Sequence, residues 1–138
     1  MKISASVQSS FGSHEISVQT NDNRQTIGIA PKQSGFGSAV NGGELLFLAL
    51  ATCYCNDVYR EAAKRGIEIE RVEVTVEGDF GAEGAPAENI KYRAKIAAKA
   101  SEEEIRALIE ETDRVAEIQN TLRKGVPVAL TRIEAVAV

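Results

Sequence analysis

Hydrophobic and polar positions alternate over three short stretches at the start of the chain. Ile3, Ala5 and Val7 fall on one face of a first strand, Ile16 and Val18 mark a second, and Ile27 and Ile29 begin a third piece that stops at Pro31. Turn formers separate them, Gly12 after the first and the run TNDN after the second, so the pattern predicts a meander. The segment QSGFGSAVNGG, residues 33–43, then abolishes any period with four Gly, two Ser and an Asn. It reads as an irregular loop, and loops of this kind often border functional sites.

From Glu44 to Arg65 the chain has no Pro and no Gly until Gly66, which follows the basic pair Lys64 and Arg65 as a C-cap should. This predicts a helix of about 22 residues. Its first half is apolar on every side, and its second half carries Asp57, Arg60, Glu61 and Lys64. The first half must therefore be surrounded by protein, and in so short a chain a second helix or a second subunit has to complete the cover. A hairpin follows. Val72, Val74 and Val76 alternate with acidic Glu73 and Glu77, and after the loop GAEGAPAEN, Ile90, Tyr92, Ala94 and Ile96 alternate with basic Lys91, Arg93 and Lys95. Antiparallel pairing sets opposite charges across from each other on a solvated face. Ser101 and Glu104 form a capping box, and Ile105, Leu108, Ile109, Val115, Ile118 and Leu122 give the stripe of one amphipathic helix ending at Gly125. The tail VPVALTRIEAVAV reads as a closing strand.

Composition narrows the functional classes. At 138 residues and 14.8 kDa, without repeat or linker, residues 1–138 read as a single domain. With 43% hydrophobic residues the chain can bury a core without metal or disulfide staples. Sixteen Lys and Arg against twenty Asp and Glu leave a net charge of −4, which argues against nucleic acid as a partner. The apolar run from Leu45 to Cys55 is about half a membrane span, and MKISASVQSS lacks the core of a signal peptide, so no membrane and a cytoplasmic location are expected.

The scarce residues limit the chemistry. One His and two Cys, Cys53 and Cys55, exclude a disulfide scaffold and make a structural zinc site within one chain improbable, so neither metal nor cofactor is expected. His14, in SSFGSHE, reads as a solvated turn residue rather than a catalytic base. On a helix Cys53 and Cys55 point roughly 200° apart, too far round to share a pocket or a disulfide without unwinding. Cys53 lies on the stripe of Leu46, Ala49, Leu50 and Asp57, and Cys55 lies with Leu45, Leu48, Thr52 and Tyr59. A free Cys is most often an inert small hydrophobe, and a reactive one needs a cation or donor nearby. Candidates for that group are Arg60 beyond Asp57 on the helix, and Lys32 and Arg24 before it.

The segment GGELLFLALATCYCNDV resembles the signature of the OsmC and Ohr superfamily, the osmotically inducible and organic hydroperoxide resistance proteins. The order of elements, from meander to final strand, is similar over nearly the whole chain. The resemblance implies an α+β fold with antiparallel sheets around a long buried central helix, built as an intertwined homodimer with the central helices at the interface. In active members the helix Cys attacks a peroxide, a second Cys on the later helix resolves the sulfenic acid, and an Arg with a Glu activates the first thiol. The helix Cys falls on Cys53. The resolving position falls on Ala116 in VAEIQNTLRKGVPV, the activating Glu falls on Gly43 beside Glu44, and Lys32 and Gln33 stand nearest to the missing Arg. The site residues implied are thus Cys53, with Cys55 and Glu44 as neighbours able to assist. Three functions come into question. One is a stress-related thiol peroxidase that reduces organic hydroperoxides at Cys53 with a small thiol or lipoyl-type reductant. The second is a redox-inactive protein that binds a small apolar ligand, and the third is a structural or partner-binding module.

Overall fold

The computed structural model describes all residues from 1 to 138 and falls into two compact units, Met1–Leu46 and Phe47–Val138. The first unit holds the expected meander: β1 (Ile3–Ser10), β2 (Ser13–Thr20) and β3 (Asn23–Ile27), antiparallel in that order. Ala5 faces Val18 and Val7 faces Ile16 across β1 and β2, and Ile16 faces Ile27 across β2 and β3. Gly12 takes a φ of +71° in the first turn and Asn21 a φ of +49° in the second, where Lys2 N–H also donates to Asn21 Oδ1 at 3.0 Å. The glycine-rich loop turns back on itself through a bridge between Pro31 and Ser38. Phe36 stacks edge-on against Phe11 with centroids 5.1 Å apart. Gly35 is required there, because its φ of +89° suits glycine and a Cβ would enter the Phe11 ring.

Helix α1 (Gly42–Lys64) begins two residues earlier than the sequence suggests and ends one earlier. Asn41 explains the early start. Its Oδ1 accepts from Glu44 N–H at 2.8 Å and its Nδ2 donates to Glu44 Oε1 at 2.8 Å, so the two residues cap the helix. Leu50, Tyr54, Asp57, Val58, Glu61 and Ala62 are its buried residues, a three-to-four stripe confined almost wholly to the second half. Within one chain the apolar first half is not enclosed, and Leu48 remains 59% exposed.

In the second unit β4 (Glu68–Phe80) and β5 (Ala87–Lys99) form a two-stranded antiparallel sheet. Val72 faces Ile96, Val74 faces Ala94 and Val76 faces Tyr92, while Glu73 faces Lys95 and Glu77 faces Lys91. The charged face is solvated as expected. Its ion pairs, Glu77 with Lys91 at 3.4 Å and Glu68 with Lys99 at 2.6 Å, are exposed and contribute little. The apolar face packs against Tyr54, Val58, Ala62, Leu108 and Ala116, which form the core.

The long second helix of the sequence reading is in fact two, α2 (Glu102–Val115) and α3 (Glu117–Lys124), broken at Ala116 with φ −70° and ψ 105°. The capping box at Ser101 and Glu104 is present, and Gly125 ends α3 with φ 65°. Replacing Ser101 with alanine is expected to cost about 1 kcal/mol in urea unfolding. Side chains of α3 receive carbonyls that the break leaves behind: Asn120 Nδ2 donates to Arg114 O at 2.9 Å and Arg123 Nη1 to Asp113 O at 3.1 Å. The tail forms no strand. Val126, Val128 and Leu130 alternate as a strand would, yet are 52–100% exposed, because no edge in this chain pairs with them. His14 is likewise not in a turn but in β2, half-buried opposite Ser9, with Nδ1 unpartnered. No helix is long and apolar enough to cross a membrane.

Candidate functional site

Helix α1 carries both thiols, and its periodicity separates them as the spacing predicts. Asp57 lies one turn beyond Cys53 on the same face, so the thiol can donate to Asp57 Oδ2 at 3.6 Å. The helix break at Ala116 brings the first residue of α3 to the same place, with Glu117 Oε2 at 3.9 Å from Cys53 Sγ. Arg60 joins the two carboxylates. Its Nη1 lies 2.9 Å from Asp57 Oδ1 and 3.3 Å from Glu117 Oε1, and its Nε donates to Glu61 Oε1 at 3.0 Å. The guanidinium thus holds one oxygen of each carboxylate, and the other oxygen of each remains for the thiol.

This arrangement raises the thiol's pKa above its ordinary value. Burial is the largest cause, the charge of Asp57 and its hydrogen bond and then the charge of Glu117 add to it, and the Ile118 backbone N–H opposes. Asp57 is itself pushed up, first by burial and then by Glu117, against the pull of Arg60. Glu117 is held down, mostly by its own backbone N–H. Cys53 rests as a thiol beside a carboxylate able to take its proton, which is the requirement for general-base activation. The sulfur and the two carboxylates also lie within 4.8 Å of one another, a donor set a cation could use. Arg60 already occupies that ground with its own positive charge.

The other residues singled out in the sequence lie elsewhere. Cys55 is half-buried and faces the sheet, where it lines a cavity of about 260 Å³ with Ala51, Thr52, Asn56 and Val74. Glu44 is engaged in the Asn41 cap. Arg24 donates to Ser17 Oγ at 3.2 Å, and the Lys32 backbone N–H closes the loop onto Gly37 O at 2.9 Å. Ala116 is fully buried in the core. Two residues escaped the sequence reading, Glu117 and Gln119. Their position depends on the Ala116 break, and alanine, the best helix former, gives no sign of it.

Two antiparallel sheets, three helices and a thiol on the longest helix, set against a carboxylate pair, define an α+β protein built around a cysteine-bearing helix. The family model described as OsmC-like protein matches residues 35–131, more than half of the chain, and the chain belongs to that family. Solved structures support the fold. An OsmC-like protein from Mycoplasma pneumoniae superposes with a TM-score of 0.60 at 22% identity, over 88% of this chain and 86% of that one. An organic hydroperoxide resistance protein OsmC from Legionella pneumophila gives 0.53 at 20% identity, over 89% and 90%. A putative organic hydroperoxide resistance protein from Vibrio cholerae, with captopril bound in one active site, gives 0.54 at 19% identity, over 89% and 85%. No curated protein matches the sequence.

Proposed function

We propose that this protein is a thiol peroxidase in which Cys53 reduces organic hydroperoxides and an external small thiol regenerates it. The observation that carries the reading is the Cys53 thiol, 3.6 Å from a buried carboxylate whose other oxygen is held by Arg60. Membership of the OsmC-like family and likeness to two organic hydroperoxide resistance proteins support it. Asp57 takes the thiol proton, and the thiolate attacks one peroxide oxygen. The O–O bond breaks, the alkoxide leaves and takes a proton to become an alcohol, and Cys53 holds the sulfenic acid. With Ala116 where the resolving Cys would stand, a first reductant thiol displaces water from the sulfenic acid to give a mixed disulfide. A second releases the reductant disulfide and restores Cys53. Comparing cumene hydroperoxide consumption by the wild type and Cys53→Ser tests this. A cytoplasmic setting, where small thiols are abundant, suits such a cycle.

The second reading, binding of a small apolar ligand without redox chemistry, is favoured by the raised pKa of Cys53 and by an apolar cavity near Leu50 and Gln119. Either function is proposed for a homodimer. Leu48 and Tyr59 on α1 are 59% and 49% exposed, and Ile3 and Val7 on β1 are 63% and 59% exposed, apolar side chains that a second copy of the chain would cover. Light scattering is expected to give about twice 14.8 kDa for the wild type, and Leu48→Glu is expected to shift the mass toward 14.8 kDa.

A further inference from the structure

Helix α1 buries two carboxylates one turn apart, Asp57 at 5% exposure and Glu61 at 6%. Asp57 is bonded to the thiol, whereas the bonds that Glu61 accepts come from elsewhere: Arg60 Nε donates to its Oε1 at 3.0 Å and Lys64 Nζ donates to the same oxygen at 2.9 Å. Like charges four residues apart on a helix repel, and a buried carboxylate without a cation is costly, so the pair needs a bridge. Arg60 is that bridge. Neighbouring residues on a helix do not face each other, and the Arg60 side chain is 41% exposed, so nothing in the helix itself keeps its charge over the buried face. The Nε bond to Glu61 does so. It fixes the planar guanidinium with Nη1 toward Asp57 Oδ1 at 2.9 Å and Glu117 Oε1 at 3.3 Å. Those two bonds leave from a single nitrogen and would by themselves let the group pivot, and the Glu61 contact is the second point of attachment. Hydrogen bonds from Lys64 and then Arg60 hold the Glu61 carboxyl below its ordinary value, so the anchor stays charged.

We propose that Glu61 is a positioning residue for the Cys53 site, orienting Arg60 between Asp57 and Glu117 so that Asp57 remains a carboxylate able to accept the thiol proton. The inference rests on the peroxidase reading, in which Asp57 is the base. Asp57 faces Cys53 and Arg60 on its own helix and Glu117 from α3, with Glu61 and Lys64 beyond Arg60. Burial and Glu117 push its pKa up and Arg60 pulls it down, so a guanidinium that swings into water surrenders the one charge that favours the ionised base.

The test is the titration of Asp57, followed by NMR with ¹³C label in the Asp carboxyls; the chain has four Asp, and Asp57→Asn assigns the signal. Glu61→Gln separates positioning from simple charge by its sign. Removing a nearby negative charge would by itself move the Asp57 midpoint down, whereas releasing Arg60 moves it up. The expected result is an upward shift, no larger than that of Arg60→Gln, and no further rise when Glu61→Gln is added to Arg60→Gln. Arg60→Lys, a change at a partly exposed position that keeps the charge but removes Nε, should also raise the midpoint and serves if Glu61→Gln does not fold. A midpoint that falls or stays in Glu61→Gln, that rises equally in the Arg60→Gln background, or that is unmoved by Arg60→Lys overturns the proposal. The titration is read on the resting protein without peroxide, so it decides the role of Glu61 even if turnover is absent, which would count against the peroxidase alone. In the active enzyme the acid limb of the turnover profile should move to higher pH in step with Asp57.

Discussion

Cys53→Ser is expected to reduce thiol-dependent consumption of cumene hydroperoxide to the uncatalysed background, whereas Cys55→Ser should retain most of the wild-type rate. The difference follows from the faces of α1. Cys53 Sγ is the sulfur with carboxylates at 3.6 and 3.9 Å, and Cys55 looks onto Val74 of the sheet with no charged group lining its cavity. The same site dictates the pH profile. Burial and the two carboxylates raise the thiol's pKa, so the thiolate fraction, and with it the rate of alkylation by iodoacetamide, climbs on the alkaline side of neutrality. Asp57→Asn removes the larger of the two acidic influences and should move that alkylation profile to lower pH by more than Glu117→Gln does. Asp57→Asn also removes the proton acceptor, so its peroxide turnover falls even as its thiol becomes more acidic. An Asp57→Asn protein that turns over faster at every pH would refute the general-base role. A Cys53→Ser protein as fast as wild type would refute the peroxidase.

Leu108→Ala is expected to lower stability by about 2–5 kcal/mol in urea unfolding, the usual range for deleting a fully buried leucine side chain. Leu108 has no exposed surface and packs in the cluster of Tyr54, Val58, Ala62 and Ala116. Thr112 depends on the same turn, since its hydroxyl donates to Leu108 O at 2.7 Å. The core contains only a handful of fully buried side chains, so neighbours have little mass with which to close the cavity. Arg106→Ala, on the exposed face of the same helix, should stay within about 0.5 kcal/mol of wild type. Equal losses for the two would mean that α2 is not anchored through Leu108.

Local patterns carried much of the fold. Period-two alternation located the meander and the hairpin, and in the hairpin it also located the cross-strand charges of Glu77 and Lys91, because one face of β4 and β5 meets the core and the other meets water. The Ser101 box and the terminal glycines located helix ends, because capping is a contact between residues three or four apart. Cys53, Asp57 and Arg60 were visible as one helical face for the same reason. Glu117 was not, because it joins that face through a break at a residue that favours helix, and the break is compensated by Asn120 and Arg123 donating to the carbonyls of Arg114 and Asp113, contacts that no short-range rule assigns. The tail failed in the opposite sense. Its alternation is genuine, but a strand exists only where another backbone offers hydrogen bonds.

The sequence by itself determined most of the elements of this protein, its α+β class and the two divergent directions of its thiols, all of which are consequences of helical and strand periodicity. Only the tertiary structure decided the surroundings of Cys53. A thiol's reactivity depends on charges and donors within a few ångströms, and here Glu117 and the Ile118 N–H come from 64 and 65 residues further along the chain. The same holds for Gln119, whose Nε2 reaches Leu50 O, 69 residues back along the chain, only once α3 packs beside α1.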